Sequence, residues 1–528
     1  MQKLCHWDWE TGGGEVITMK SIIYNDDGWS SYMRYPAPMS PEDIIKVTVL
    51  PIANSGVNVY QFCSLGGHAV NYNSRFLPRV GEMMDEVNTM HVWRMRETLR
   101  YLESLGTDPL HIVSKACHDF GINCQFSLRM NDAHHTYLRP DGSYWFPELL
   151  SPWFASHNDA LLPNGILDYA HPDTHEYRIQ QITEILENYE VGGIDLDFTR
   201  FKPFFRQGDE LSGMPKLTEL IAHLRKLTGE YSKTLSARFE YDPESCTVSG
   251  LDVEKWITEG YLDQITLGGV GDQTPDATAQ WWIERAHSSG CQVFPSMEGQ
   301  LHWIPNPGGG GTGLVAGDGI VDGYGPPSIE YMRAVASRHY LDGADGVSLF
   351  NFTCADGPFA LDAFTELHDP ETIRLRDKQY VAALWPWDAQ IYCNVPWISC
   401  FKLDADMDNA VHILRIGDDI QTAIKRGIAP ACTLTLDLMG INRLDDIEVR
   451  VNDVPVEWNG YRYNHYDCGC WNDIVCFNVS GESLRLGDNI IELICKRNNQ
   501  GFTGPIEVRK LVLDIAYPKF FAPGIGIS

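Results

Sequence analysis

Up to about Asn351, short runs of apolar and β-branched residues alternate with longer stretches of helical periodicity. The runs are Ser21–Tyr24, Val57–Cys63, Asn123–Arg129, Gly192–Asp197, Thr234–Glu240, Gln264–Gly269, Cys291–Ser296 and Gly346–Phe352. Short runs of this kind, bounded by turn residues, read as buried strands. Helical signals fall between them. In His171–Tyr189, Pro172 suits a first turn, and Ile182, Ile185, Leu186 and Tyr189 make one apolar stripe. Met90–Gly106 and Leu217–Tyr231 behave alike. Eight strands alternating with helices predict an α/β fold, a (β/α)8 TIM barrel. The rival, a doubly wound open sheet, needs a glycine-rich phosphate turn after an early strand, and none is present. The segment Pro305–Gly319 is glycine-rich but lacks the Lys-Ser/Thr ending of a phosphate loop, so it reads as a loop after the seventh strand.

After Trp385 the texture changes to period-two alternation. Strands are expected at Cys432–Leu438, Asp446–Trp458, Asp473–Val479, Asn489–Arg497 and Ile506–Tyr517, with a tight turn at Asn452-Asp453. The expected organisation is an N-terminal extension over 1–19, a catalytic barrel over 20–384 and an all-β sandwich, an accessory domain, over 385–528.

The fourth run, Tyr189–Phe201, raises the chemical question because it carries Asp195 and Asp197 inside an otherwise apolar strand. Carboxylates are costly to bury unless paired or used. Side chains alternate along a strand, so Ile194, Leu196 and Phe198 face the helices while both aspartates face the barrel axis. Asp197 falls at the C-terminal tip, where barrel enzymes place their chemistry. In the next run Arg238 and Glu240 share a face, with Glu240 at the tip. Asp195 is then expected to be neutralised by Arg238 or Arg129. That leaves Asp197 and Glu240 as a carboxylate pair of the kind that glycosidic hydrolysis needs. The alternative is a purely structural ion-pair network lining the barrel. Glu298, after the seventh run, is a rival catalytic carboxylate.

The stretch Leu167–Arg200, with its Leu-Asp turn, Pro-capped helix, "GGIDLD" strand and strand-end Asp followed by Arg200, resembles the fourth-strand signature of glycoside-hydrolase-like (β/α)8 barrels related to α-amylase and α-galactosidase. The resemblance implies Asp197 as nucleophile and Glu240 as acid/base. The chain departs from the pattern at Gly192, where Asp is usual.

Other residues expected to bind substrate near the mouth are Asn25, Asp26, Asp27 and Trp29 after the first run, and Arg129, Asn131, Asp132, His134 and His135 after the third. Asp195, Arg200, Arg238, His302, Trp303 and Asn351 complete the set. Amides and carboxylates suit sugar hydroxyls, and aromatic faces suit sugar rings. A carbohydrate is the expected partner. Two other classes stay open: a carbohydrate-binding or scaffold barrel without chemistry, and a metal-dependent hydrolase using Asp132, His134 and His135. No cofactor or metal is expected on the leading reading. The net charge of −30 disfavours nucleic acid and anionic membranes, and a homo-oligomer is compatible with it. No apolar run is long enough to span a bilayer and none near the N-terminus forms a secretory core. The 14 cysteines show no paired zinc spacing. Reduced thiols and a cytoplasmic location are therefore expected.

Overall fold

The N-terminal hairpin pairs β1 (Lys3–Trp7) with β2 (Gly14–Thr18). Eight parallel strands follow: β3 (Ser21–Asp26), β4 (Val57–Cys63), β5 (Asn123–Arg129), β6 (Gly193–Asp197), β7 (Thr234–Phe239), β8 (Gln264–Leu267), β9 (Gln292–Glu298) and β10 (Gly346–Phe350). They pair in chain order and β10 closes on β3, making the expected barrel. All eight strands coincide with the runs read from the sequence. This computed structural model describes residues 3–7, 14–64, 68–87, 89–269, 275–299, 327–352, 359–383, 400–404, 409–441, 446–467, 470–497 and 505–519. The chain divides into two units, 1–270 with 279–299 and 344–368, and 271–278 with 300–343 and 369–528.

Inside the barrel the side chains form layers, as alternation requires. Ile23, Val59 and Phe294 make an apolar floor. Above it amides chain across the strands: Asn25 Nδ2 donates to Gln61 Oε1 (3.2 Å), Gln61 Nε2 to Gln125 Oε1 (3.1 Å), and Gln264 Nε2 to the same oxygen (3.2 Å). Next comes Asp195, accepting from Ser127 Oγ (2.8 Å) and Ser236 Oγ (2.9 Å). The parallel register puts Asp195 level with those two serines, and Asp197 level with Arg129 and Arg238. This corrects the expected pairing: Asp195 is held by hydroxyls, not by Arg238 or Arg129. The arginines stand one layer higher.

Two local features set the strand ends. Arg178, fully buried on helix Pro172–Asn188, donates to the carbonyls of Arg129 (3.1 Å) and Met130 (2.6 Å), pinning the end of β5. A Cβ at Gly192 would lie 1.6 Å from Asn123 Oδ1, so the space for the usual Asp is already taken by a neighbouring strand's amide.

In the second unit, one sheet contains β11 (Lys378–Ala383), β12 (Phe401–Leu403), β14 (Ala431–Met439), β17 (Glu457–Asp467), β18 (Cys470–Val479) and β20 (Ile506–Ala516). The other contains β13 (Asn409–Ile416), β15 (Asp446–Val451), β16 (Val454–Pro455) and β19 (Gly487–Arg497). Alternate residues such as Leu434, Leu436, Ile491, Leu493, Leu511 and Leu513 fill the core of this sandwich. Asn452 and Asp453 adopt φ of 50° and 68°, the left-handed pair a tight hairpin turn needs. Because β11 pairs with β20 along its length, the sandwich sheet begins at Lys378, ahead of the change in sequence texture. No helix among the described residues is long and apolar enough to cross a membrane.

A buried ion pair ties the sandwich. Lys378 Nζ donates to Asp418 Oδ1 (2.9 Å) and to three carbonyls, while Tyr380 and Tyr517 hydroxyls donate to the same carboxylate at 2.5 and 2.8 Å. Burial pulls the Lys378 pKa down, and Asp418 opposes that shift. Lys378→Met, which leaves the carboxylate buried without its cation, is expected to cost about 3–5 kcal/mol in urea unfolding.

Burial, with the charge of Asp197, raises the Asp195 carboxyl from 3.8 to about 6, against the two serine hydroxyls and Arg238. Between about pH 4 and 6 the folded chain therefore holds more protons here than the unfolded chain. The stability contributed by this group is full below about pH 4 and lost as pH rises through 6, a change on the order of 3 kcal/mol. Asp195→Asn removes the titration. The unfolding midpoint of the variant relative to wild type should climb from pH 4 to pH 7 in thermal melts, and a flat difference would refute the assignment.

Candidate active site

Asp197 sits at the last position of β6 and is 2 % exposed. Its Oδ1 accepts from the Thr199 backbone N–H (2.9 Å) and hydroxyl (2.7 Å), a short-range turn that fixes the carboxylate on its own strand end. Its Oδ2 meets Arg238 Nη1 at 3.5 Å. Arg238 also donates to Thr199 Oγ1 (2.6 Å) and the Gly269 carbonyl (2.9 Å), and lies 3.4 Å over the Phe350 ring. One carboxylate oxygen is thus saturated and the other only loosely approached. Thr199, which completes this arrangement, was not among the expected site residues. Its signal in the sequence is the polar residue two places after a strand-end Asp.

Glu298 ends β9 and is 3 % exposed. Arg200, just beyond β6, interacts electrostatically with Glu298, Asp197 and Asp132 together, so the three carboxylates share one region. Glu240 differs. It follows β7, forms an ion pair with Lys202 (2.9 Å), and is partly exposed.

The β5 loop supplies a second constellation. Asp132 accepts from Arg129 Nη1 (3.1 Å) and from the His134 backbone N–H (2.9 Å), and its Oδ1 bonds His134 Nδ1 (2.7 Å). Burial pushes Asp132 up, but His134 and Arg129 outweigh it and hold the carboxyl well below the usual range. Arg129 is buried, yet Cys63, Asp132, Asp197 and Asp27 hold its pKa above the ordinary arginine value. His134 packs edge-on against Phe146 and Phe201. His135 points elsewhere: its Nε2 bonds the Gly165 carbonyl and its ring packs on His68 and Phe154. Burial lowers its pKa. Asn131 ties loops together through Leu167 and the Pro203 carbonyl.

On the β3 side, Asp27 caps its own loop through Trp29 N, Ser30 N and Ser30 Oγ. Gly28, at φ 68°, lets this loop press against β4, since a Cβ there would lie 2.1 Å from the Cys63 carbonyl. Asp26 takes hydrogen bonds from the Gly28 N–H and the Tyr60 hydroxyl on the face opposite Asp27, away from the mouth. Burial, with Asp27, raises its carboxyl to about 7. Asn25 belongs to the amide layer deeper in the barrel. Asn351, beyond β10, takes φ 53° and has a buried Oδ1 without a partner among the described residues. His302 and Trp303 lie outside the described residues.

These placements bring Asp27, Trp29, Arg129, Asp132, His134 and Arg200 around one pocket of about 150 Å³, with Phe146 and Leu149 as its apolar wall. Larger clefts of about 410 and 330 Å³ lie around Asn73 and Arg75, on outer segments after β4. Their size does not make them the site, because the strand-end carboxylates are elsewhere. Among the described residues no group of three His, Cys, Asp or Glu is arranged to hold a metal ion. His135 turns away from the Asp132–His134 pair, toward the Gly165 carbonyl.

No family model and no curated protein matches the chain. Similar solved structures include the PgaB glycoside hydrolase domain from Bordetella bronchiseptica, 13% identical over 67% of this chain and 99% of that one, with a TM-score of 0.35. An α-galactosidase, AgaB, from Geobacillus stearothermophilus is 10% identical over 94% of this chain and 55% of that one, TM-score 0.35. A chitinase from Chromobacterium violaceum is 12% identical over 66% and 98%, TM-score 0.34. At such scores the barrel assignment rests on the chain's own strand pairing.

Proposed function

We propose that this chain is a glycoside hydrolase that works at the C-terminal mouth of its barrel. The observation that carries this reading is a buried strand-end carboxylate, Asp197, with one oxygen saturated by Thr199 and the other open apart from Arg238. A carboxylate fixed by its own turn, with its second oxygen left open, suits a nucleophile or a base toward water. The second carboxyl in this proposal is Glu298, because it is buried at a strand end and shares Arg200 with Asp197. Glu240, the donor suggested by the sequence resemblance, is engaged by Lys202, and it serves as the alternative. Trp29 and Phe146 offer apolar faces to a sugar ring, and Asp132 orients His134 toward hydroxyls.

On a panel of aryl glycosides and polysaccharides, Asp197→Asn is expected to lower kcat by about 10³-fold or more with an unchanged far-UV spectrum. Glu298→Gln should lower it by at least about 10²-fold on substrates with poor leaving groups, and much less on those with good ones. If Glu240→Gln shows that leaving-group pattern and Glu298→Gln does not, the donor is Glu240. Full activity of Asp197→Asn would remove Asp197 from the chemistry, and failure of the wild type to cleave any glycoside of the panel would remove the glycosidase reading.

A further inference from the structure

Three guanidinium groups stand at the mouth, and they are not equally occupied. Arg238 gives both Nη atoms to Asp197, Thr199 and the Gly269 carbonyl, and only its buried Nε is unpartnered among the described residues. Arg129 gives Nη1 to Asp132, while its Nε is buried without an acceptor. Arg200 has no ion pair or hydrogen-bond acceptor among the described residues, and its Nε is buried. Both Arg129 and Arg200 line the pocket. Arg200 thus lines the pocket with a guanidinium that meets no acceptor among the described residues, beside an Arg129 that gives only Nη1 to a protein acceptor, and such a pair of cations calls for an acceptor brought by the ligand.

The nearby carboxylates do not fill that role by contact: Asp132 is bound to Arg129 and His134, Asp27 to its own loop, and Asp197 to Thr199 and Arg238, while Glu298 acts on Arg200 through its charge without a direct ion pair. The two arginines repel each other as well: burial and then the charge of Arg129 lower the pKa of Arg200, against the acids around it. An anion seated between them would give Arg200 the acceptor it lacks among the described residues and offset that repulsion. Its form is constrained. Four carboxylates surround the mouth, so a loosely held anion is disfavoured and only one that reaches guanidinium N–H groups directly gains. A planar carboxylate matches the guanidinium fork in two parallel bonds. The volume, about 150 Å³, is well under the roughly 300–1,000 Å³ of a whole small-molecule site, which fits one subsite of a longer ligand.

We infer that Arg129 and Arg200 form a subsite for a carboxylate carried by the sugar, so that the substrate is an acidic glycan containing uronic acid residues. The word substrate rests on the glycosidase reading. The subsite itself does not, because binding is measurable without turnover.

The test is saturation-transfer NMR titration of wild type and Asp197→Asn with glucuronate and galacturonate against glucose and galactose. The uronates are expected to bind at least about ten-fold more tightly than the neutral sugars to both proteins. Arg200→Gln should abolish that preference, and Arg200→Lys, which keeps the charge but not the fork, should restore only part of it. Equal binding of uronate and neutral sugar to wild type overturns the proposal. So does a preference untouched by Arg200→Gln in a protein with a native melting curve, or inorganic sulfate competing as well as uronate. If the uronate preference stands while no glycoside is cleaved, the subsite survives and the glycosidase reading falls. If neutral glycosides are cleaved and uronates show no preference, only the subsite falls.

Discussion

A carboxylate can remain at the inner end of a barrel strand only if the strands on either side present donors at the same height. That constraint governs the mouth of this barrel. The parallel register sets Asp197 between Arg129 and Arg238, and Asp195 between two serines. The two aspartates therefore have different neighbours although they are two residues apart on one face. Asp197 meets cations and a threonine turn. Asp195 meets neutral hydroxyls, and its carboxyl rises to about 6 under burial and the charge above it.

The barrel was legible because its strands are fully buried and bounded by turns, so type and order followed from apolar runs alone. Depth was not. Alternation tells which face a side chain takes, but the stagger between neighbouring strands decides which residues meet, and that stagger is a property of the closed sheet. Hence Arg238 was matched to Asp195 rather than Asp197. The partners of the loop residues were hidden for a related reason. Asp26, Asn131 and His135 have the composition of a sugar site, yet Tyr60, the Pro203 carbonyl and the Gly165 carbonyl hold them as fasteners. Polar residues that close long-range contacts look the same in sequence as polar residues that await a ligand. The early strand β11 was missed because "KQYVAA" is short and continuous with the preceding helix region.

Lys378 and Asp418 show the same physics in the sandwich. A charge removed from water is retained where several partners converge on it, and here two tyrosines and three carbonyls do so. The mouth of the barrel lacks that closure. Its cations and acids are arranged in chains rather than closed sets, with Arg200 at the open end.

The interior of the barrel is also uneven around its circumference. On β5, β6 and β7 the upper polar layers are mutually bonded, from the amide chain through the serines to Arg238. On β8, β9 and β10, Thr266, Ser296 and Ser348 carry buried hydroxyls with no hydrogen-bond partner among the described residues, and Asn351 continues that line beyond β10. A core selected for stability alone would place apolar groups there, since a buried hydroxyl without a partner is a net cost. Gln125 Nε2, Arg129 Nε and Arg238 Nε are also unpartnered among the described residues, so the contrast lies in the hydroxyls: those on the strands flanking β6 are bonded to Asp195, and those on β8, β9 and β10 are not. The bonded pair holds Asp195 still directly below Asp197, the kind of rigid support that a group at a strand end needs from the layer beneath it.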